Sequence, residues 1–170
     1  VSRLLGVPLL LVLLHQPTPQ HRWISLIIFL IAAGTDWLDG YLARRLDQVT
    51  DLGKFLDPLV DKLLVLAPLL ALVELDQIPG WGVFLILARE LTIAGWRVSQ
   101  TKISGANLWG KLKTVSQIGA IALLLAPPFA QSTLAIVAFW IAVGLTWISG
   151  MIYLLPQREP LQVDRELAER

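Results

Sequence analysis

The sequence predicts an all-α integral membrane protein with six transmembrane helices and both termini in the cytoplasm. Three observations carry that prediction. First, 55% of the 170 residues are hydrophobic and only 16% are charged. A soluble domain averages roughly 45–50% apolar, glycine included, and about 25% charged, so this chain has too few charges to cover a water-facing surface. Second, the apolar residues fall into six stretches divided by prolines, glycines or charges. Third, of the 14 lysines and arginines, all but Arg22 and Arg89 lie at or near one alternating set of stretch ends. That bias marks the cytoplasmic side. A formal net charge of +1 argues against a nucleic-acid binder, and the high apolar content excludes disorder.

Helix 1 is expected over Leu4–Leu14, ended by Gln16-Pro17-Thr18-Pro19, because proline cannot continue a helix. The chain opens on valine, so residues are expected to be missing before it and helix 1 to be truncated. No small-residue cleavage site follows this stretch, so it does not read as a signal peptide. Helix 2 is expected over Trp23–Leu46 and helix 3 over Leu52–Leu75, before the break Asp76-Gln77-Ile78-Pro79-Gly80. Helix 4 follows over Trp81–Ser99, helix 5 over Leu108–Leu125 up to Pro127-Pro128, and helix 6 over Thr133–Leu155. Trp23 and Trp81 then fall at the outer interface and Trp109 at the inner one, where indoles favour the headgroup level. The domain division is one membrane domain, 1–155, and a polar cytoplasmic tail, 156–170.

Several chemistries are excluded. No cysteine is present, which removes disulfides, thiolate metal sites and a cysteine nucleophile. The histidines, His15 and His21, lie together between apolar runs. No nucleophile-elbow serine and no phosphate-binding glycine loop is present.

The informative residues are acids inside the apolar stretches. Asp36 and Asp39 lie in helix 2, and Asp57 and Asp61 in helix 3. Intramembrane carboxylates are costly and mark functional sites. Asp36, Asp39, Gly40 and Ala43 follow i, i+3, i+4, i+7 and so share one helix face; Asp57 and Asp61, at i and i+4, also share one. A short connector makes the two helices antiparallel neighbours, with both pairs toward their cytoplasmic ends. Four carboxylates need counter-charge, which two divalent cations would supply. Oxygen-only ligands suit hard cations such as Mg²⁺, Mn²⁺ or Ca²⁺, and a metal pair suits phosphoryl-group chemistry. Gly40 and Ala43 leave room on the same face for a bulky ligand. The plainer alternative pairs these acids with Arg44, Arg45, Lys54 and Lys62 at the interface. It leaves the two in-register pairs and the small residues unexplained.

The run Asp36-Trp-Leu-Asp39-Gly40-Tyr-Leu-Ala43-Arg44, followed after eight residues by Gly53, after three more by Asp57 and after three more by Asp61, resembles the signature of the CDP-alcohol phosphotransferase family. The resemblance implies six transmembrane helices, a site for two divalent cations (Mg²⁺ or Mn²⁺) and a homodimer. It implies that Asp36, Asp39, Asp57 and Asp61 bind metal, with Asp61 also the general base. It further implies that CDP is held by Asp36, Asp39, Gly40, Ala43, Arg44, Gly53 and Asp57. The reaction it implies displaces CMP from a CDP-linked lipid by an alcohol.

Other segments narrow the alcohol. Arg3-Leu-Leu-Gly-Val-Pro8, Thr35, Ala88-Arg89-Glu90, Arg97 and Gly110-Lys111-Leu-Lys113-Thr114-Val-Ser-Gln117 resemble the phosphatidylglycerophosphate synthase branch. That branch implies CDP-diacylglycerol as donor and sn-glycerol 3-phosphate as acceptor. An anionic acceptor fits Arg3, Arg89, Lys111 and Lys113 gathered at the cytoplasmic mouth of the site. Lys111 and Lys113, at i and i+2, do not share a face, so one is expected in the pocket and the other against anionic lipid heads. Arg89 and Glu90, adjacent in an apolar helix, are expected to point into the bundle. Two alternatives remain. The same chemistry could use inositol phosphate, serine or phosphatidylglycerol, or the buried acids could carry divalent cations in a small transporter.

Overall fold

The computed structural model describes the backbone of residues 2–46, 51–98 and 108–154 and the side chains of residues 6–35, 62–96 and 108–153. Among them the chain is all α: α1 (Ser2–His15), α2 (Pro19–Leu46), α3 (Asp51–Glu74), α4 (Gly80–Val98), α5 (Leu108–Leu125) and α6 (Thr133–Leu154). The expected order and number hold among the described residues. Most ends fall within one residue of expectation, and the start of α2 is the main exception. The Pro-Thr-Pro run does not break the chain as far as Trp23. Thr18 caps the helix, its hydroxyl accepting from the His21 amide at 3.2 Å. Pro19 then occupies the first helical position, where its missing N–H costs nothing. The tail 156–170 lies outside the described residues.

Two other ends show how short breaks are made. At the end of α3 the Asp76 amide bonds the Val73 carbonyl and the Gln77 amide bonds that of Leu72, both at 3.0 Å. This doubly bonded cap places Asp76 in the left-handed region, φ 54°, a position glycine usually takes. Ser132 caps α6, its hydroxyl accepting from the Ala135 amide at 3.2 Å.

The helices pack so that α5 and α6 form the closest pair, while α1 lies against α2 and α3, and α4 bridges α3 and α6. Helices α4 and α6 run parallel: Gly82 meets Phe139, and seven residues on Arg89 meets Ser149. The fully buried apolar side chains, among them Leu14, Phe29, Leu72, Leu124 and Phe139, lie toward the end where α1, α3 and α5 finish. This is the proline end, with Pro17, Pro79, Pro127 and Pro128 in its connectors. Among the described residues, the buried polar side chains other than Ser25 lie toward the opposite, carboxylate end: Arg89, Gln117, Thr146 and Ser149.

Large apolar side chains cover the outside, including Val12, Ile31, Trp81, Phe84, Val115 and Met151. A soluble surface rarely carries so continuous an apolar coat. Among the described residues one helix, Thr133–Tyr153, is long and apolar enough to cross a membrane. Helices α2 to α5 carry charges within their length.

Candidate active site between α2, α3, α4 and α5

The two longest helices carry the four aspartates. Asp39 and Asp36 lie seven and ten residues before the end of α2 at Leu46, and Asp57 and Asp61 lie six and ten residues after the start of α3 at Asp51. The helices are joined by four residues and touch. In an antiparallel hairpin with a rise of 1.5 Å per residue, Asp39 shares a level with Asp57, and Asp36 with Asp61. The side chains of Asp36, Asp39, Gly40, Ala43, Arg44, Gly53, Asp57 and Asp61, and of Arg3, lie outside the described ones. What the backbone supplies is their placement at paired levels of adjacent helices.

Beside that level opens a cavity of about 260 Å³. Phe29 and Ala33 of α2, Leu64 to Leu66 and Leu69 of α3, and Ile86 and Leu87 of α4 form its apolar walls. Its polar lining is Lys62, Glu90, Lys113, Thr114 and Gln117. Lys62 directly follows Asp61, so the cavity adjoins the carboxylate level.

The polar lining is tightly organised. The Lys113 ammonium donates to Glu90 Oε1 at 2.6 Å, and Arg89 Nη1 donates to the same oxygen at 2.9 Å. One carboxylate oxygen thus holds two cations, from α4 and α5. Arg89, only 7% exposed, also donates from Nη2 to Ser149 Oγ on α6 at 3.1 Å. Its stem lies against Gly150, where a Cβ would come within 2.9 Å of Arg89 Nε. Three helices are therefore tied by one arginine and one glutamate, and glycine makes the room. A turn deeper, Gln117 Nε2 donates to Thr146 Oγ1 at 2.8 Å, and Thr146 passes its own proton to the Ala142 carbonyl at 2.7 Å.

The profile of the CDP-alcohol phosphatidyltransferase family matches residues 1–148. The chain belongs to this family. It is 42% identical over 154 residues, 86% of this chain and 80% of the relative, to the CDP-diacylglycerol--glycerol-3-phosphate 3-phosphatidyltransferase of Bacillus subtilis (strain 168). The Salmonella choleraesuis (strain SC-B67) protein of the same name is 38% identical, covering 94% of this chain and 92% of the relative. That of Pseudomonas fluorescens is 35% identical, covering 87% and 77%. The chain is thus a transferase, and membership in the CDP-alcohol phosphatidyltransferase family carries with it a membrane setting and dependence on divalent cations. The described residues hold no cluster fit for a metal; the side chains of all four aspartates lie outside the described ones.

Within this family member the four acceptor candidates part company. Lys113 lines the cavity with its side chain 13% exposed. Lys111 is exposed, two residues away and on another face. Arg89 is buried behind Glu90 rather than lining the cavity. Sequence reasoning gave Glu90 a general inward direction but no partner, and treated Lys62 only as an interface charge. Both line the cavity. The signal available for Lys62 was its adjacency to Asp61; Glu90's pairing with Lys113 spans 23 residues and two helices, which no local pattern reveals.

Proposed function

We propose that this chain transfers a phosphatidyl group from CDP-diacylglycerol to sn-glycerol 3-phosphate, giving phosphatidylglycerophosphate and CMP. The observation that carries this reading is the placement of the eight-residue signature on two adjacent helices, its aspartates at paired levels, beside a cavity with a fixed lysine. The relatives named for this reaction support the choice of acceptor.

The proposed chemistry is a single displacement. The acceptor's terminal hydroxyl attacks the lipid-side phosphorus, a new phosphorus–oxygen bond forms, and the bond to the bridging oxygen breaks, releasing CMP. Asp61 takes the hydroxyl proton, as a base within hydrogen-bond reach of an attacking alcohol can. The donor set fits hard cations: Asp36, Asp39, Asp57 and Asp61 offer only oxygen. Two Mg²⁺ or Mn²⁺ ions bound there would neutralise the pyrophosphate and ease departure of CMP. Gly40 and Ala43 floor the cytidine pocket, and Arg44 and Gly53 help place the nucleotide.

Lys113 is the residue we assign to the acceptor phosphate, with Arg3 at the mouth. Glu90 and Arg89 hold Lys113 in position. Lys111, exposed, meets anionic lipid heads. In this reading all six helices span the cytoplasmic membrane, both termini and the site face the cytoplasm, residues 1–155 form one membrane domain, and the tail lies in water. The outer-end tryptophans and the apolar coat support that setting, and a homodimer would bury part of the coat.

The test is CMP release from CDP-diacylglycerol by the full chain in detergent or vesicles. Release should need sn-glycerol 3-phosphate and a divalent cation, and Asp57→Asn or Asp61→Asn should abolish it. Full activity in either variant, or release driven by serine or inositol phosphate but not glycerol 3-phosphate, would overturn the reading.

A further inference from the structure

Gln117 is buried, yet it lines the cavity. Its amide is oriented by its neighbour on α6. Thr146 spends its hydroxyl proton on the Ala142 carbonyl, so toward Gln117 it can only accept, and it accepts from Nε2. The nitrogen is thereby turned to α6, and the carboxamide oxygen has no partner among the described residues. A glutamine serving only to join α5 to α6 would not need to stand in the cavity wall.

Position supplies the second half of the argument. Gln117 follows Lys113 by four residues, so both stand on the same face of α5, about 5–6 Å apart. Each is locked by a different helix: Lys113 by Glu90 of α4, Gln117 by Thr146 of α6. The neighbouring Thr114 bonds back to the Gly110 carbonyl at 3.1 Å and is exposed, whereas Gln117 is buried. Glu90 Oε1 is already shared by two cations. One helical turn is about the span from a phosphate to a hydroxyl two carbons away.

We infer that Gln117 is a specificity-determining residue: its fixed carboxamide oxygen accepts a hydrogen bond from the acceptor's non-reacting middle hydroxyl while Lys113 holds the phosphate. This rests on the reading that the acceptor is a glycerol phosphate. The role is recognition of the substrate and includes no bond making.

The experiment compares two acceptors in the full-length enzyme with CDP-diacylglycerol. One is sn-glycerol 3-phosphate; the other is 3-hydroxypropyl phosphate, which keeps the phosphate and terminal hydroxyl but lacks the middle one. In the wild type, kcat/KM for the first should exceed the second by about tenfold or more, as expected for a site built around one hydroxyl. Gln117→Met should bring the first down to the second while leaving the second, and the KM for CDP-diacylglycerol, unchanged. Thr146→Val, which frees the amide to turn, should fall between and tests the same point should Gln117→Met fail to fold. Equal use of both esters by the wild type, or an equal loss for both in the variants, overturns the inference alone. A wild type that uses neither ester overturns the underlying reading and the inference with it.

Discussion

Two arginines tie the bundle together, one at each end, and their partners differ in kind. At the proline end, Arg22 of α2 donates to the side-chain oxygen of Gln77, between α3 and α4, and to the Leu124 carbonyl of α5 at 3.4 Å. Every partner is neutral. At the carboxylate end, Arg89 of α4 bonds Ser149 of α6 and shares Glu90 with Lys113 of α5. Arg22 ties α2 to the α3–α4 connector and to α5, and needs nothing more. Arg89 helps to neutralise a glutamate that also holds a second cation, and that second cation lines a cavity. A neutral clasp fastens; a charged one also presents.

The comparison can be broken most severely at Glu90. Glu90→Ala leaves two largely buried cations without their carboxylate partner among the described residues, and we expect a loss of about 3 kcal/mol of stability. The KM for glycerol 3-phosphate should rise more than tenfold with the KM for CDP-diacylglycerol unchanged, as read by denaturation in detergent and by initial rates.

The next effect comes from adding a methyl group to one of two glycines. Gly150→Ala pushes a Cβ to within 2.9 Å of Arg89 Nε, and Gly82→Ala pushes one to within 2.7 Å of the Phe139 ring. Each should cost about 1–3 kcal/mol by overpacking. Only Gly150→Ala should also raise the acceptor KM, because only it displaces Arg89. Equal kinetic effects would show that both ends of the α4–α6 seam serve alike.

The smallest effect is expected at the proline end. Arg22→Met should cost about 1 kcal/mol, the value of ordinary hydrogen bonds, with both KM values unchanged in the folded enzyme. A rise in the acceptor KM there would mean that the two ends are coupled.

The same contrast explains what could be read from the sequence. The carboxylate pairs were legible because their spacing is local: i, i+3 and i, i+4 fix a face without knowledge of any neighbour. Helix ends were legible where a break is chemically strong, as at Pro127-Pro128 after α5. The start of α2 was missed because Pro19 opens a helix as readily as it ends one, and only the Thr18 cap decides between the two. The basic residues were hardest. Their crowding at one end showed in composition, but whether Lys111 or Lys113 enters the cavity depends on the rotation of α5 against Glu90 and Thr146. That rotation is set by packing between helices distant in sequence. Gln117 was legible only as part of a short motif, since its orientation depends on where Thr146 sends its proton.

The cavity walls have a kinetic consequence. An activated phosphorus at a membrane surface has water as its most abundant wrong nucleophile, and hydrolysis would spend a CDP-lipid for no product. Phe29, Ala33, Leu66, Leu69, Ile86 and Ile118 offer water no hydrogen bond on the side away from the polar mouth. Among the described residues the hydrogen-bonding lining of the cavity is all on the side that the proposed acceptor would occupy. Occupancy by the alcohol becomes the seal, so productive transfer and protection of the donor are the same event.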